Sequence, residues 1–273
     1  MAAVDKLKSA DNFGFYQFLN QAAMKVFSIL RRRLVLFHCF AILAALVIAT
    51  SQTQAGPCTP PPSGLVGWWP AEGNASDIIG GDNGTLQGGT TFASGEVGQG
   101  FRLDGTNSYV QIPDSAALKP ANVTVEAWVW LDPNVTTPRN EQIIFKRNSW
   151  TYLFEGYSLL KEYADNGNGT YTDRFSFVVT SGGNQIITRS TSAISRGVWY
   201  HVAGSYDGST QKLFVNGVAE ASAYAGFALD YGTLPVYIGT TGEPAPYNNK
   251  LAGIIDEPSI YNRALATSEI ARL

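Results

Sequence analysis

Oxygen-bearing side chains crowd one short stretch of the chain: Glu72, Asn74, Asp77, Asp82 and Asn83 stand among glycines. Hard Ca²⁺ takes six to eight oxygens from carboxylates, amides and backbone carbonyls, and glycines let those carbonyls turn towards an ion. Calcium is therefore the cofactor this loop suits, although the spacing is not that of an EF-hand. Five aromatic residues, Trp150, Tyr152, Tyr163, Tyr171 and Tyr247, fall in turn-rich segments and cannot be assigned to a core. Sugar rings stack their C–H faces on such rings, while amides and carboxylates read the hydroxyls. A shelf of Trp150, Tyr152 and Tyr247 is the ligand-binding surface expected on these grounds.

Catalytic equipment is sparse. Glycoside hydrolysis normally needs two positioned carboxyls. The sequence carries no zinc-type Cys/His cluster, no phosphate-cradling loop and no Gly-x-Ser-x-Gly elbow. His201 is the one histidine beyond residue 55, inside Trp199-Tyr200-His201-Val202. A mid-strand histidine reads as a packed, hydrogen-bonded residue rather than a base. The expectation is a binding protein and not an enzyme.

The elements that must position these groups read as strands. Val123, Val125, Ala127 and Val129 alternate with Thr124, Glu126, Trp128 and Trp130. That period of two, with both faces partly apolar, predicts a central strand over Val123–Leu131. Further strands are expected at Leu65–Trp69, Tyr109–Ile112, Gln142–Arg147, Tyr152–Leu160, Arg174–Thr180, Gln185–Ser190, Val198–Tyr206, Lys212–Asn216, Pro235–Gly239 and Ala252–Tyr261. Asp207-Gly208, Asn216-Gly217 and Gly182-Gly183 supply the positive φ angles of tight hairpins. Trp68, Trp69, Trp128 and Trp199 are expected to fill the core. Only Ala264–Leu273 looks helical, with Thr267 as its N-cap. Many strands without alternating helices predict two packed antiparallel sheets.

Of the 273 residues, 45% are hydrophobic and only 15% charged, which suits such a turn-rich all-β domain. Its N-terminal part reads differently. Lys25 and Arg31 to Arg33 precede the apolar run Leu34–Ala49, and Thr53-Gln54-Ala55 ends in a small residue. That is the layout of a secretory signal over 24–55, its apolar run short for a membrane span, with an uncleaved N-terminal anchor as the alternative. Residues 1–23 form an extension before Met24, itself a candidate start, and the Pro-rich 56–63 is a linker. Beyond residue 55 the chain keeps 13 basic and 20 acidic residues, a net charge of −7. Nucleic acid, which demands clustered Lys and Arg, is a poor partner for it. With Cys39 inside the signal, Cys58 is left alone, so no disulfide forms within the domain.

Three stretches resemble the laminin-G-like jelly-roll family of the concanavalin-A-like lectin/glucanase superfamily. The first is GLVGWWPAEGNASDIIGGDNGTLQGG (Gly64–Gly89) with GQGFRLDGTNSYVQIPDS (Gly98–Ser115). The second is VTVEAWVWL (Val123–Leu131), and the third pairs VWYHVAGSYDGSTQKLFVNG (Val198–Gly217) with GIIDEPSIYNRALATSEI (Gly253–Ile270). The resemblance implies one all-β, two-sheet antiparallel jelly-roll sandwich over 64–273, with one short C-terminal helix. It also implies that a cation sits where the first loop meets an aspartate of the last strand, here Asp256, so that Asp256, Glu72 and Asp77 form the expected metal set. The Glu-x-Asp-x-x-Glu strand of the superfamily's glucanases is missing: Ala127 and Trp128 follow Glu126. The implied function is a secreted or cell-surface module that binds a glycan. The alternatives are a protein–protein interaction domain of the same fold that uses a sheet edge or loop rim, and an unrecognised glycan-active hydrolase or lyase.

Overall fold

The computed structural model describes residues 60–148 and 155–273. The strands, in chain order, are β1 (Leu65–Trp68), β2 (Thr85–Gln87), β3 (Thr91–Ser94), β4 (Gln99–Asp104), β5 (Tyr109–Ile112), β6 (Val123–Leu131), β7 (Glu141–Asn148) and β8 (Glu155–Asp165). They continue as β9 (Tyr171–Ser181), β10 (Asn184–Arg189), β11 (Trp199–Tyr206), β12 (Thr210–Val215), β13 (Val218–Tyr224), β14 (Val236–Ile238) and β15 (Ala252–Tyr261), and one helix, α1 (Thr267–Ile270), follows. Every pairing is antiparallel. The first sheet runs β13-β12-β11-β6-β15-β4-β3, and the second runs β10-β9-β8-β7-β14-β5-β2. On the flank of β15 away from β6, β4 pairs with residues 252–255 and β1 with residues 259–261. This is the expected two-sheet sandwich. Among the described residues no helix is long and apolar enough to cross a membrane.

One face of each strand supplies the core between the sheets. Val123, Val125, Ala127, Val129 and Leu131 of β6 join Phe175, Phe177 and Val179 of β9 there, all wholly buried. The sheets approach so closely that a Cβ on Gly204 of β11 would stand 2.2 Å from the Phe177 ring. A second, smaller cluster of Ala203, Phe214, Tyr261, Leu265 and Ile270 lies where the C-terminal segment covers the other face of the first sheet. Thr124 ties that segment down by donating to the Arg263 carbonyl at 2.8 Å and accepting the Leu265 amide at 2.9 Å.

Two local expectations are corrected. Only Trp69 of the four tryptophans reaches the core, whereas Trp68, Trp128 and Trp199 are half-buried. Trp128 alternates with the core residues of β6 and so faces out of the sandwich, against the His201 ring 5.3 Å away. Position 266, not Thr267, is the N-cap: the Ala266 N–H donates to Glu269 Oε2 at 2.8 Å, and Arg263 pairs with that carboxylate.

One network of buried charge lies beside the core. Glu141 pairs with Arg196, with Lys161 at 3.3 Å and with Arg139 at 3.5 Å, and also accepts the Ala252 amide at 3.1 Å. Lys161, itself fully buried, completes its bonding with Asp173 at 2.9 Å and the Arg139 carbonyl at 2.6 Å.

Candidate ligand-binding site

Outside the core, β7 of the second sheet presents Gln142, Phe145 and Arg147 to the loop between β14 and β15. Together they enclose a pocket of about 510 Å³, completed by Thr241, Glu243, Pro244, Ala245, Tyr247 and Asn249. The loop is held in shape from within. Thr240 and Thr241 donate their hydroxyls to the carbonyls of Asn248 and Tyr247, both at 2.8 Å. The Gln142 amide donates to the Asn249 carbonyl at 2.9 Å and so fixes the loop to the strand. Gly242, at φ +76°, lets the backbone lie on the Tyr237 ring, where a Cβ would stand 2.4 Å away.

Tyr247 stands 68% exposed at this loop, with the buried Phe145 in the wall. Burial lowers the Arg147 guanidinium to about 10, and the charge of Glu243 opposes the shift. Burial also pushes the Glu243 carboxyl up, with Arg147 opposing. The pocket thus sets an aromatic ring beside an amide, a carboxylate and a guanidinium. Of the expected shelf, the structure places Tyr247 here, while Trp150 and Tyr152 lie outside the described residues. Tyr163 and Tyr171 stack on each other instead, ring centroids 4.8 Å apart and planes within 9°. Gln142, Arg147, Thr241 and Glu243 were not anticipated. The available signal was the turn-rich segment Glu243-Pro244-Ala245-Pro246-Tyr247 ahead of the last strand.

The expected cation ligands divide. Asp77 accepts four backbone amides: Trp68 and Ile79 on Oδ1 at 2.9 Å, Gly80 and Asp82 on Oδ2 at 3.0 Å. A carboxylate has about four acceptor positions, so Asp77 clasps the first loop and has no oxygen to spare for an ion. Glu72 and Asp256 do converge, on the turn between β3 and β4. Glu72 Oε1 accepts the Gln99 amide at 3.0 Å, and Asp256 Oδ2 accepts that of Val97 at 2.9 Å. Asp256 Oδ1 is buried with no partner among the described residues. Burial raises Asp256 to about 6, and Glu257, bonded to the Trp68 indole, to about 7, with the neighbouring carboxylates adding to both shifts. A bulge in β15 between Asp256 and Ser259 sets these two acids side by side, with Glu257 at φ +53°. An oxygen-seeking cation fits this orphaned, charge-crowded corner. Among the described residues no group of three or more acidic, His or Cys side chains could hold a metal, so backbone carbonyls would have to complete its shell.

His201 is buried, its Nε2 3.0 Å from Glu126 Oε2, and Ser259 Oγ donates to the other oxygen of Glu126. The carboxylate stands in the middle. A nucleophile–base relay needs the hydroxyl on the ring, so this trio is a buried clamp joining β6, β11 and β15.

Several solved structures share this fold. Domain 4 of AbnA, a GH43 extracellular arabinanase from Geobacillus stearothermophilus, was solved with arabinotriose; it is 20% identical, with 76% of this chain and 96% of that one aligned and a TM-score of 0.56. The binding domain of Paraclostridial Mosquitocidal Protein 1 is 17% identical, with 76% and 51% covered and a TM-score of 0.60. That of botulinum neurotoxin DC, in complex with SialylT, is 12% identical, with 77% and 50% covered and a TM-score of 0.57. The chain spans about half the length of these two toxin structures. No curated protein sequence matches it significantly. A family model of the concanavalin A-like lectin/glucanases superfamily matches residues 104–271. With the jelly-roll sheets and the closing β15 in place, the chain belongs to the laminin-G-like family of that superfamily.

Proposed function

We propose that the chain is an exported, non-catalytic carbohydrate-binding module whose ligand occupies the pocket between β7 and the β14–β15 loop. The exposed Tyr247 ring beside planar polar groups carries this reading, because it offers a stacking face and hydroxyl partners together. The arabinotriose complex of the AbnA domain supports it. In this reading residues 24–55 direct export and 56–63 tether the domain. Tyr247→Ala should weaken glycan binding about 10–30-fold while leaving the circular dichroism spectrum unchanged, the size expected for one lost stacking contact. A glycan array probed with both proteins tests this; signal indifferent to Tyr247 would reject the pocket. The edge strand β13, with Val218 63% and Tyr224 76% exposed, supports a second reading, a protein partner added as a further strand. An array silent with calcium and with chelator would favour it.

Calcium is proposed as a stabiliser held by Asp256 and Glu72 with loop carbonyls. At 1 mM calcium, a site of ~10 μM affinity adds ~2.7 kcal/mol, or about 5–10 °C in melting temperature for a domain of this size. Asp256→Asn should abolish that response without lowering stability in chelator, since it removes a buried charge that faces Glu72. In chelator, both raised acids keep protons in the folded state that the unfolded chain releases near its ordinary values of 3.8 and 4.5. Stability then falls as pH rises from about 4 to about 7, so the melting temperature should be higher at pH 5 than at pH 7.5. An equal or opposite trend, or no calcium response in the unaltered protein, would dismiss the site.

A further inference from the structure

The same pocket carries a statement about which sugars it accepts, and that statement rests on the carbohydrate reading above. Two of its lining residues have an acceptor oxygen without a donor among the described residues. Gln142 is 3% exposed, and its Oε1 has no donor among the described residues; the same is true of Glu243 Oε1. Backbone and hydroxyl donors nearby are already committed. The Gln142 amide goes to Asn249, the Glu243 amide to Thr241 Oγ1 at 3.1 Å, and the Thr241 hydroxyl to the Tyr247 carbonyl. Shielded acceptors without donors are costly and rare in folded proteins. Their remedy must come from the occupant, and it must be a donor.

Ligand classes divide on that point. A hydroxyl donates and accepts, whereas a carboxylate or sulfate at neutral pH only accepts. An acidic sugar would bring a third acceptor against two that are already unpaired, one of them on a carboxylate. Arg147 is the pocket residue that could welcome an anion. Its charge faces that of Glu243, and its Nη2 is directed to Gln185 Oε1 at 3.2 Å. The net −7 of the chain beyond residue 55 adds a repulsive field against anionic glycans.

We infer that the pocket selects an uncharged sugar unit, whose adjacent hydroxyls donate to Gln142 Oε1 and Glu243 Oε1, over uronic, sialylated or sulfated units of similar size. Titration calorimetry of the full chain at pH 7.5 and physiological salt tests this with matched probes. The neutral set is arabinotriose, xylotriose and lactose; the acidic set is trigalacturonate and 3′-sialyllactose. A neutral probe should bind at least 10-fold more tightly than either acidic one. Gln142→Met, which keeps the shape and removes the acceptor, should weaken that neutral probe about 5–20-fold. Glu243→Gln, a milder change that guards against misfolding of the first variant, should weaken it about 5-fold and narrow its advantage over the acidic set, because the charge facing Arg147 is gone. An acidic probe that binds as well as the neutral ones, and loses affinity in Tyr247→Ala, would overturn the selectivity while sparing the carbohydrate reading. Silence from all five probes together with a silent glycan array would overturn both.

Discussion

Glu141→Leu should destabilise the domain by about 3–5 kcal/mol, the usual result of stripping one partner from a buried ion network. Glu141 is wholly buried and answers Arg196, Lys161 and Arg139 together. Without it Lys161 keeps only Asp173 and a carbonyl, and the amide of Ala252, at the start of β15, loses its acceptor. Leucine fills the volume but leaves cations whose desolvation is no longer offset. Urea unfolding measures the loss, and Glu141→Gln should recover part of it by restoring the acceptor for Ala252. A loss below about 1 kcal/mol would mean that water reaches these cations freely, and the network would then be surface electrostatics of small worth.

Asp77→Ala should cost about 3 kcal/mol, and equally so in calcium and in chelator. The carboxylate gathers four amides, those of residues 79, 80 and 82 in the first loop and that of Trp68 in β1. Each donor left without a partner costs about 1–3 kcal/mol, reduced where the loop relaxes enough for water to enter. The test is a pair of urea titrations, with calcium and with chelator, on the unaltered and substituted proteins. If calcium changes the size of the loss by more than about 1 kcal/mol, Asp77 is coupled to the ion and the clasp assigned to it is wrong.

The strands most legible in the sequence were those with the most burial to record. β5, β6 and β15 occupy the expected Tyr109–Ile112, Val123–Leu131 and Ala252–Tyr261: β5 alternates in burial, and β6 and β15, central in the first sheet, are buried almost throughout. β2 and β3 are short, carry no fully buried residue and left no such imprint. In β4 the interrupting Gly100 concealed Phe101 and Leu103. β13 reads VAEASAY, and small residues on an edge alternate too weakly to be seen. The proposed ligand pocket was legible only at Tyr247. Gln142 and Glu243 lie about a hundred residues apart, and they meet because β14 pairs with β7. Pairing between distant segments leaves no local periodicity to read. Asp77 is ambiguous in the same way: a carboxylate in a glycine-rich loop has one composition whether it holds an ion or, as here, a set of amides.

β1 lies against the C-terminal half of β15, where the Gly64 carbonyl accepts the Asn262 amide and Arg263 Nε donates to the Ser63 carbonyl, both at 2.8 Å. Entry to and exit from the jelly roll therefore occur at one place, like the two leads of a plug. Such a unit can be spliced into a surface loop of a host with little disturbance, or its ends can be joined and the chain reopened at another turn. The seam between first and last strands is then the part that any rearrangement must leave intact.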